Sequence, residues 1–486
     1  MQRLIRIPYH FQWLVVFFAL HGYSEYLGRI RPGSLGLLVL QLSLAAWVLF
    51  LLIRKWYGDA HRAALFITVV FFCYLFYGAL QDALAGWPLM AALSSTRVFF
   101  LIIVLICLIT AVVLFFYKKS PFKLTQLFNC LFLIYIAYDI ILIISGNGMA
   151  IKTKLPVPAV TLQPVADTVK KPDVYLIVLD EYQGSAGLQQ YFQYDNSAFE
   201  SLLQQKGFYV CGKPSGNYGY TVYAMASMLN MRYLQPVDWG SDKKQLYVRL
   251  ASLINNNQVG ACFKTFNYTI RNLSPFRFMN QEPALSFNLL PYDVALISDK
   301  TAYSRVVKNL PFGELLDDLH AYPVANWLNK QIDGDNEKLL QAALVRPEIN
   351  QPVFTYLHLM MPHRPYTYDS TGRLPDWARY RGETGKDALY LQYLVYTNHR
   401  IGRFIEQLQQ ATGGQAVIML MSDHGYRGAR VEASGELVRN TLNAVYLPGR
   451  NYSLWHDTVS NVNQFALLFN TLFNQQLPLQ KNEWKF

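Results

Sequence analysis

The fold is decided by the stretch Ala416-Val417-Ile418-Met419-Leu420-Met421-Ser422-Asp423-His424-Gly425. Its first six residues are apolar and predict a buried strand, and Asp423 and His424 follow directly where that strand ends. A second apolar run, Val174–Leu179, ends in the same way at Asp180. In open α/β sheets functional groups gather beyond the carboxyl ends of the strands, so we expect these side chains to meet there. Carboxylate oxygens and an imidazole suit one divalent metal ion, such as Mn²⁺, Zn²⁺ or Mg²⁺.

Strand and helix patterns alternate over the second part of the chain. Strands are predicted at 174–179, 207–211, 353–359, 416–421 and 443–447, and helices at 186–206, 221–231, 246–257, 312–330 and 387–410. This alternation is typical of a mostly parallel sheet between two layers of helices. We therefore expect a three-layer α/β domain, catalytic in character, over residues 173–486.

The first part of the chain is strongly apolar. Of the 486 residues, 52% are hydrophobic, and stretches long enough to span a bilayer lie near 10–27, 35–53, 63–81, 98–117 and 124–145. Residues 1–146 are therefore predicted to form a transmembrane domain of about five helices. Residues 147–172 are rich in Pro, Val, Thr and Lys without periodicity, and they predict a linker.

The positive charge is concentrated in the apolar part. Residues 1–150 carry +7 of the formal net charge of +11, which argues against a nucleic-acid partner. Eight of the eleven Lys and Arg residues in this segment lie on one side of the membrane if the N-terminus is cytoplasmic. Five spans then predict a multi-pass protein of the inner or cytoplasmic membrane whose α/β domain is extracytoplasmic, either periplasmic or extracellular.

A phosphoryl-transfer site also needs a nucleophile beside the metal. Thr221 is the best candidate, because Gly219 allows a tight loop before it and a helix-forming run follows. At a helix start, free N–H groups favour an anion such as a phosphate. The alternative is that Thr221 only caps the helix, which is common for Thr.

Four motifs, in this order, resemble the alkaline phosphatase/sulfatase superfamily. They are the strand end Leu179-Asp180-Glu181, the loop-to-helix Thr221, the pattern His-x-x-x-Pro-His-x-Pro-Tyr at 358–366, and Ser422-Asp423-His424-Gly425. Together with the apolar stretches, they make the chain look like the membrane-anchored branch that includes phosphoethanolamine transferases and lipoteichoic acid synthase.

The resemblance implies a site with one metal ion. Its ligands would be Asp180, Thr221, Asp423 and His424, with Thr221 also acting as the nucleophile. Glu181 is the alternative to Asp180, since the acid after the first strand is often Glu in the transferases.

Further residues are candidates around this site. His363 matches a family position that contacts the substrate or the leaving group, so we expect it to donate a proton to the departing oxygen. Arg364 is expected to contact an anionic headgroup. His456 is a weaker candidate for substrate binding, with a structural hydrogen bond as the alternative. His358 is interpreted as a core histidine.

The resemblance implies transfer of a phospho-headgroup, of phosphoethanolamine or phosphoglycerol type. The donor would be a phospholipid and the acceptor an envelope glycan or lipid. Two alternatives are a phosphodiester or sulfate-ester hydrolase of the same fold and a non-catalytic envelope regulator that binds lipid. Formylglycine sulfatases need Cys or Ser followed by x-Pro-x-Arg, and neither Thr221 nor Cys211-Gly212-Lys213-Pro214-Ser215 fits this pattern.

Two cysteines, Cys211 and Cys262, lie outside the apolar stretches. In an oxidising compartment they could form a disulfide. The alternative is that both are buried thiols.

Overall fold

The computed structural model describes residues 5–26, 30, 32–87, 90–117, 119–145, 160–166, 169–234, 243–284, 294–309, 322–376, 380, 382–428 and 436–485. The chain divides into two compact units. The helical unit consists of Met1–Lys152 and Ser286–Ala321, and the sheet unit consists of Thr153–Leu285 and Tyr322–Phe486. The boundaries expected after residues 146 and 172 stay a prediction. The structure adds that residues 286–321 group with the N-terminal segment.

The helices described within residues 5–145 overlap the apolar stretches, and two further helices of the helical unit lie at 295–309, outside those stretches. Numbered along the whole chain, they are α1 His10–Glu25, α2 Pro32–Tyr57, α3 Ala60–Leu75, α4 Tyr77–Ala85, α5 Thr96–Phe116, α6 Phe122–Ile144, α12 Ala295–Ser298 and α13 Ala302–Asn309. Three of them, α2, α5 and α6, are long and apolar enough to cross a membrane. Helices α3 and α4 bend by 60° at their junction and would add a fourth span if they count as one. Because α1 has only 16 residues, the count of five spans stays a prediction.

Helices α12 and α13 pack against the apolar helices within the helical unit. The N–H of Gly78 donates to the carbonyl of Lys300 at 2.7 Å, and Arg305 forms an ion pair with Asp82 at 2.7 Å. A Cβ atom at Gly78 would lie 2.7 Å from Arg305 Nε. Glycine is therefore required at this point for the close approach.

The sheet unit is built on six strands. They are β1 Val174–Leu179, β2 Tyr209–Val210, β3 Thr269–Leu273, β4 Val353–Leu359, β5 Val417–Ser422 and β6 Asn443–Tyr446. Their order is β2-β6-β5-β1-β4-β3. Strand β1 pairs in parallel with β4 and β5, and β3 pairs in parallel with β4, whereas β6 is antiparallel to both β5 and β2. The sheet is therefore mixed, with a parallel centre and an antiparallel edge.

Helix residues pack against alternate residues of the strands. The helices are α7 Ser185–Phe192, α8 Ser197–Gln205, α9 Thr221–Met228, α10 Lys243–Asn255, α11 Gln258–Thr265, α14 Tyr322–Leu344, α15 Gly382–Ala411, α16 Glu436–Arg439 and α17 Gln464–Phe473. Even-numbered residues of β1 share a core with α9, α10, α11 and α17. Odd-numbered residues share a second core with α8, α14 and α15. This division follows from the period of two along a strand.

The differences from the predicted elements have local causes. Strand β3 was not predicted because the polar residues Arg271 and Asn272 interrupt its apolar pattern. The helix predicted at 186–206 is two helices, since Gln193 ends α7 in the left-handed conformation with φ of 51°. The helix predicted at 312–330 begins outside the described residues, and α14 runs from Tyr322 to Leu344.

Cys211 and Cys262 are both buried and free in this structure. The Sγ of Cys211 lies 3.7 Å from Asn443 Oδ1. Of the two alternatives for this pair, the structure therefore has buried thiols rather than a disulfide.

Candidate active site

The centre of the site is the carboxyl end of β1, which lies between β4 and β5. Leu179, at the end of β1, pairs with the last residue of each neighbouring strand. Asp180 and Asp423 therefore leave the sheet side by side, with His358 one residue inside the end of β4. Because side chains alternate along a strand, these three point to the same face of the sheet. That face also packs against α9.

These three side chains form the candidate metal site. In the part of the chain that the structure describes, one group of His, Cys, Asp and Glu residues offers ligand atoms within 4.8 Å of one another, and it is Asp180, His358 and Asp423. None is more than 3% exposed. His358 Nε2 lies 3.3 Å from Asp180 Oδ2, and its Nδ1 lies 2.8 Å from the Tyr356 hydroxyl. A partner on the second ring nitrogen is usual for histidines that bind metals.

Two carboxylate oxygens in this group lack hydrogen-bond donors. Asp423 Oδ1 accepts from the backbone N–H groups of Glu181 at 3.1 Å and His424 at 2.9 Å. Asp423 Oδ2 and Asp180 Oδ1 are buried, and neither has a hydrogen-bond partner among the described residues. A buried carboxylate oxygen without a donor is costly unless a cation compensates its charge. The residues therefore fit a divalent ion with oxygen and imidazole ligands.

Thr221 lies next to the Asp423-His424 pair. It is the first residue of α9, and Tyr220 is the N-cap of that helix. Thr221 Oγ1 lies 3.3 Å from His424 Nε2, which is itself 3.3 Å from Asp423 Oδ2. His424 Nδ1 donates to the carbonyl of Gly425 at 2.8 Å. The proton is then on Nδ1, and the lone pair of Nε2 is available to the site.

Glu181 lies outside the three-residue group and makes a second set of contacts. Its Oε1 accepts from the Arg427 N–H at 3.0 Å, and its Oε2 lies 3.7 Å from His363 Nε2. The Arg427 guanidinium lies over the Tyr220 ring, 4.8 Å from its centroid. Arg427 therefore connects Glu181 to the residue that precedes Thr221.

Charges in the site shift two pKa values. Burial raises the pKa of Asp180, but the imidazoles of His363, His358 and His424 outweigh burial, so the net pKa is lowered. Burial lowers the pKa of His363, but the charges on Asp180 and Glu181 outweigh it, so the net pKa is raised. Asp180 is therefore favoured as a carboxylate, and His363 is favoured as an imidazolium that can donate a proton.

A comparison with family models identifies the family of this chain. The model of the sulfatase family matches residues 188–466, which is more than half of the chain. The chain belongs to the sulfatase family. This confirms the prediction of a sulfatase-like enzyme of the alkaline phosphatase superfamily, either a phosphotransferase or a hydrolase.

Several solved structures are similar to this sulfatase-family chain. The C-terminal periplasmic domain of EcEptC from Escherichia coli is 14% identical with a TM-score of 0.39, and the match covers 65% of this chain and 87% of that chain. The integral membrane protein lipooligosaccharide phosphoethanolamine transferase A (EptA) from Neisseria meningitidis is 11% identical with a TM-score of 0.39, over 95% of both chains. The phosphonate monoester hydrolase of Agrobacterium radiobacter is 13% identical with a TM-score of 0.38, over 65% of this chain and 79% of that chain. All three TM-scores lie below 0.5, so these likenesses carry no argument about activity. Among curated proteins, none matches the sequence.

The two residues expected to bind substrate lie at the surface of this sulfatase-family chain. Arg364 is exposed, and its carbonyl accepts a hydrogen bond from His363 Nδ1 at 2.7 Å. His456 is exposed, and its Nδ1 lies 3.1 Å from the Thr458 hydroxyl, as in the alternative of a structural hydrogen bond. A role in substrate binding stays a prediction for both.

Sequence reasoning missed the position of His358 and the contacts of Arg427. His358 was interpreted as a core histidine, and it is indeed fully buried, but its partner is the Asp180 carboxylate. The sequence signal was that His358 lies near the end of a predicted strand, on the alternating positions whose side chains point to the same face of the sheet as Asp180 and Asp423. Using that signal requires knowing that β4 lies beside β1. Arg427 offered no such signal, since its contacts depend on the turn after Gly425.

Proposed function

We propose that this sulfatase-family chain is a metal-dependent membrane transferase that acts through phospho-Thr221. It would move a phospho-headgroup, of phosphoethanolamine or phosphoglycerol type, from a phospholipid to an envelope glycan or lipid. One observation carries the proposal. The Thr221 hydroxyl lies 3.3 Å from His424 Nε2, which lies 3.3 Å from Asp423 Oδ2, a buried oxygen without a hydrogen-bond donor among the residues that the structure describes. Phosphoryl transfer through a phospho-threonine intermediate requires the hydroxyl nucleophile to lie next to the cation site.

One divalent ion, Mn²⁺, Zn²⁺ or Mg²⁺, would be held by Asp180, Thr221, Asp423 and His424. His358 is a further candidate ligand from its position in the three-residue group. When bound, the ion would lower the pKa of the Thr221 hydroxyl and neutralise charge on the phosphoryl group.

Asp180 is preferred to Glu181 as the acidic ligand. Asp180 Oδ1 is buried without a hydrogen-bond donor from the described part of the chain, whereas both oxygens of Glu181 face other groups. These groups are the Arg427 N–H at 3.0 Å and His363 Nε2 at 3.7 Å. Glu181 would instead orient His363 toward the reacting phosphoryl group.

In the first step, Thr221 Oγ1 releases its proton to solvent and forms a bond to the phosphorus of the donor headgroup. The bond between phosphorus and the glycerol oxygen of the lipid breaks. Diacylglycerol then leaves with a proton from His363 Nε2. Arg364, exposed next to His363, would contact the anionic headgroup.

In the second step, a hydroxyl of the acceptor attacks the same phosphorus and gives its proton to His363 Nε2. The bond between phosphorus and Thr221 Oγ1 breaks, and the Thr221 oxygen takes a proton from solvent. The enzyme thereby returns to its starting state. With water as the acceptor, the same step would be hydrolysis.

Attachment to a membrane supports a lipid donor. Helices α2, α5 and α6 are long and apolar enough to cross a bilayer. The distribution of Lys and Arg favours a cytoplasmic N-terminus, with the sheet unit on the extracytoplasmic side. A domain tethered to a bilayer meets phospholipid headgroups at a high effective concentration.

The test uses the purified protein in vesicles of phosphatidylethanolamine or phosphatidylglycerol, with Mn²⁺, Mg²⁺ or Zn²⁺. We expect metal-dependent release of diacylglycerol from one of the two lipids. The peptide that contains Thr221 should gain the mass of the transferred headgroup. Thr221→Ala should abolish both signals and leave the melting temperature unchanged, because a partly exposed hydroxyl contributes little to a core. Thr265→Ala, which removes an exposed hydroxyl from the last residue of α11, is the matched control.

Different results separate the candidate functions. Product formation that depends on an added envelope glycan or lipid would support the transferase. Release of the free phospho-headgroup in water at the same rate would identify a hydrolase. Absence of diacylglycerol release with either lipid and every metal would contradict the proposal and favour a lipid-binding regulator.

A further inference from the structure

The segment that follows α17 has no helix or strand of its own. We call residues 474–485 the strap. It begins where Asn474, in the left-handed conformation with φ of 50°, ends α17. From there it runs without helix, strand or turn to Trp484 and Lys485. A segment without a backbone ladder must find other partners for its N–H and C=O groups.

Side-chain amides of the sheet unit supply these partners. Asn470 donates to the carbonyl of Leu477 at 3.0 Å and accepts from its N–H at 2.8 Å. Asn463 donates to the carbonyl of Gln480 at 2.8 Å and accepts from its N–H at 2.7 Å. Each amide therefore satisfies both backbone groups of one strap residue, as a neighbouring strand would. The path of the strap is fixed by these bonds rather than by its own conformation.

The far end of the strap is bonded to the loop that precedes Thr221. Asn217 Nδ2 donates to the carbonyl of Glu483 at 3.0 Å, and the Lys485 N–H donates to the carbonyl of Asn217 at 3.0 Å. Asn217 is buried, and its Oδ1 accepts from the Val462 N–H at 2.8 Å. One side chain thus joins the loop to the strap and to the turn before α17.

Trp484 fills the space beside the next glycine of the loop. A Cβ atom at Gly219 would lie 3.4 Å from the Trp484 ring and 3.2 Å from Val438 Cγ1. The guanidinium of Arg439 lies over the Trp484 ring, 5.2 Å from its centroid, in a cation–π contact. Gly219 is therefore confined between two side chains, two residues before Thr221.

We propose that the strap is a positioning element for the nucleophile, fixing the loop 216–220 so that Thr221 Oγ1 is held at the site. This inference rests on the proposed role of Thr221. In the described part of the chain, none of the hydrogen bonds of the strap involves Asp180, His358 or Asp423. Thr221 is one of the four proposed metal ligands, so loss of the strap contacts should slow the transfer of the phosphoryl group much more than it weakens metal binding.

Trp484→Ala removes the contact with Gly219 and keeps the backbone bonds of the strap. We expect kcat to fall about 10- to 100-fold, since small misplacements of a reacting group cost that much. KM should stay within about twofold, because the substrate contacts are unchanged. The dissociation constant for the metal should rise by a smaller factor than kcat falls, because Asp180, Asp423 and His424 keep their positions. Trp484→Phe should restore most of kcat by refilling the space. Leu479→Ala, at a strap position that is 45% exposed, is the matched control and should behave like the parent protein.

Hydrogen exchange gives a readout that does not depend on activity. Amides of residues 216–222 should exchange at least about tenfold faster in Trp484→Ala than in the parent protein or Leu479→Ala. Unchanged exchange in this loop would overturn the proposal, and so would an equal loss of metal affinity and kcat. If the parent protein has no turnover that depends on Thr221, the proposed function fails, and exchange alone decides whether the strap holds the loop.

Discussion

The two oxygens of the Asp423 carboxylate differ in their hydrogen-bond partners. Oδ1 accepts hydrogen bonds from the N–H groups of Glu181 and His424, whereas Oδ2 is buried and accepts none from the described residues. An amide oxygen can accept the same two bonds, so Asp423→Asn changes mainly the charge and the unbonded atom. We expect the melting temperature of the metal-free protein to change by no more than about 2–4 °C. Affinity for Mn²⁺ should fall by at least about 100-fold, the upper end of what is lost with a residue that only orients a ligand.

Metal titration followed by calorimetry measures this difference. Asp457→Asn is the matched control, because Asp457 Oδ1 bonds the Tyr209 hydroxyl at 3.1 Å, away from the metal site. It should leave the affinity for Mn²⁺ unchanged. Equal affinities in Asp423→Asn and the parent protein would exclude Asp423 Oδ2 as a ligand.

An asparagine in the turn before α17 bonds two backbone carbonyls at the end of strand β5. Asn461 Nδ2 donates to the carbonyls of Ser422 at 2.9 Å and Asp423 at 3.1 Å. Asn461 is 2% exposed, so Asn461→Ala leaves both carbonyls without this donor in a buried site. The cost should be about 2–4 kcal/mol in the free energy of unfolding. This corresponds to a fall of roughly 5–10 °C in the melting temperature.

Thermal unfolding followed by fluorescence tests this prediction. Asn451→Ala is the control, since Asn451 is exposed and its Oδ1 accepts from the N–H and hydroxyl of Ser453, two residues further along the chain. A fall of less than about 2 °C in Asn461→Ala would mean that water or another donor replaces the amide.

The central strands could be predicted from the sequence because burial on both faces makes them continuous apolar runs. Strands β1, β4 and β5 lie within one residue of their predicted positions. Strand β3 could not be predicted in this way, because it lies at the edge of the sheet. There the Arg271 guanidinium bonds the carbonyls of Val345 and Ala342. A polar residue whose hydrogen bonds are made by tertiary contacts can occupy a strand, but it interrupts the apolar pattern by which a strand is predicted.

Only those residues of the candidate site that adjoin a recognisable local pattern could be predicted from the sequence. Asp180, Asp423 and His424 follow apolar runs, and Thr221 follows a glycine loop. Which side chain lies next to Asp180 depends on the order of the strands in the sheet, and local sequence does not encode that order. His358 was therefore interpreted as a core residue. The strap was missed for the same reason, because its partners lie at positions such as Asn217, far away in the chain.

The division of the whole chain was only partly visible in the sequence. The apolar stretches coincide with helices, since hydrophobic length is a local property. Residues 286–321, however, belong to the helical unit although they come from the middle of the chain. Their contacts, such as the ion pair between Arg305 and Asp82, are long-range and leave no periodic signal.

Two buried thiols report on the sheet unit as a whole. Burial raises the pKa of Cys211 to about 12 and that of Cys262 to about 12. The thiolate is the reactive form, so neither should react with iodoacetamide in the folded protein near neutral pH. Both belong to the core that contains the even-numbered residues of β1. Their reactivity therefore measures the unfolding of that core.

We expect Cys211 and Cys262 to become reactive at the same temperature, because they share one core and that core should unfold cooperatively. Mn²⁺ at 100 times its dissociation constant should stabilise the folded state by about 2.7 kcal/mol and raise that temperature. Pulse alkylation over a temperature series, with mass spectrometry of the two peptides, measures both effects. In Asp423→Asn, Mn²⁺ should no longer raise the temperature at which the thiols become reactive. Cys211 and Cys262 should still become reactive at the same temperature. Reaction of one thiol well before the other would show that the core unfolds in parts, and no rise with saturating Mn²⁺ would contradict metal binding by the folded sheet unit.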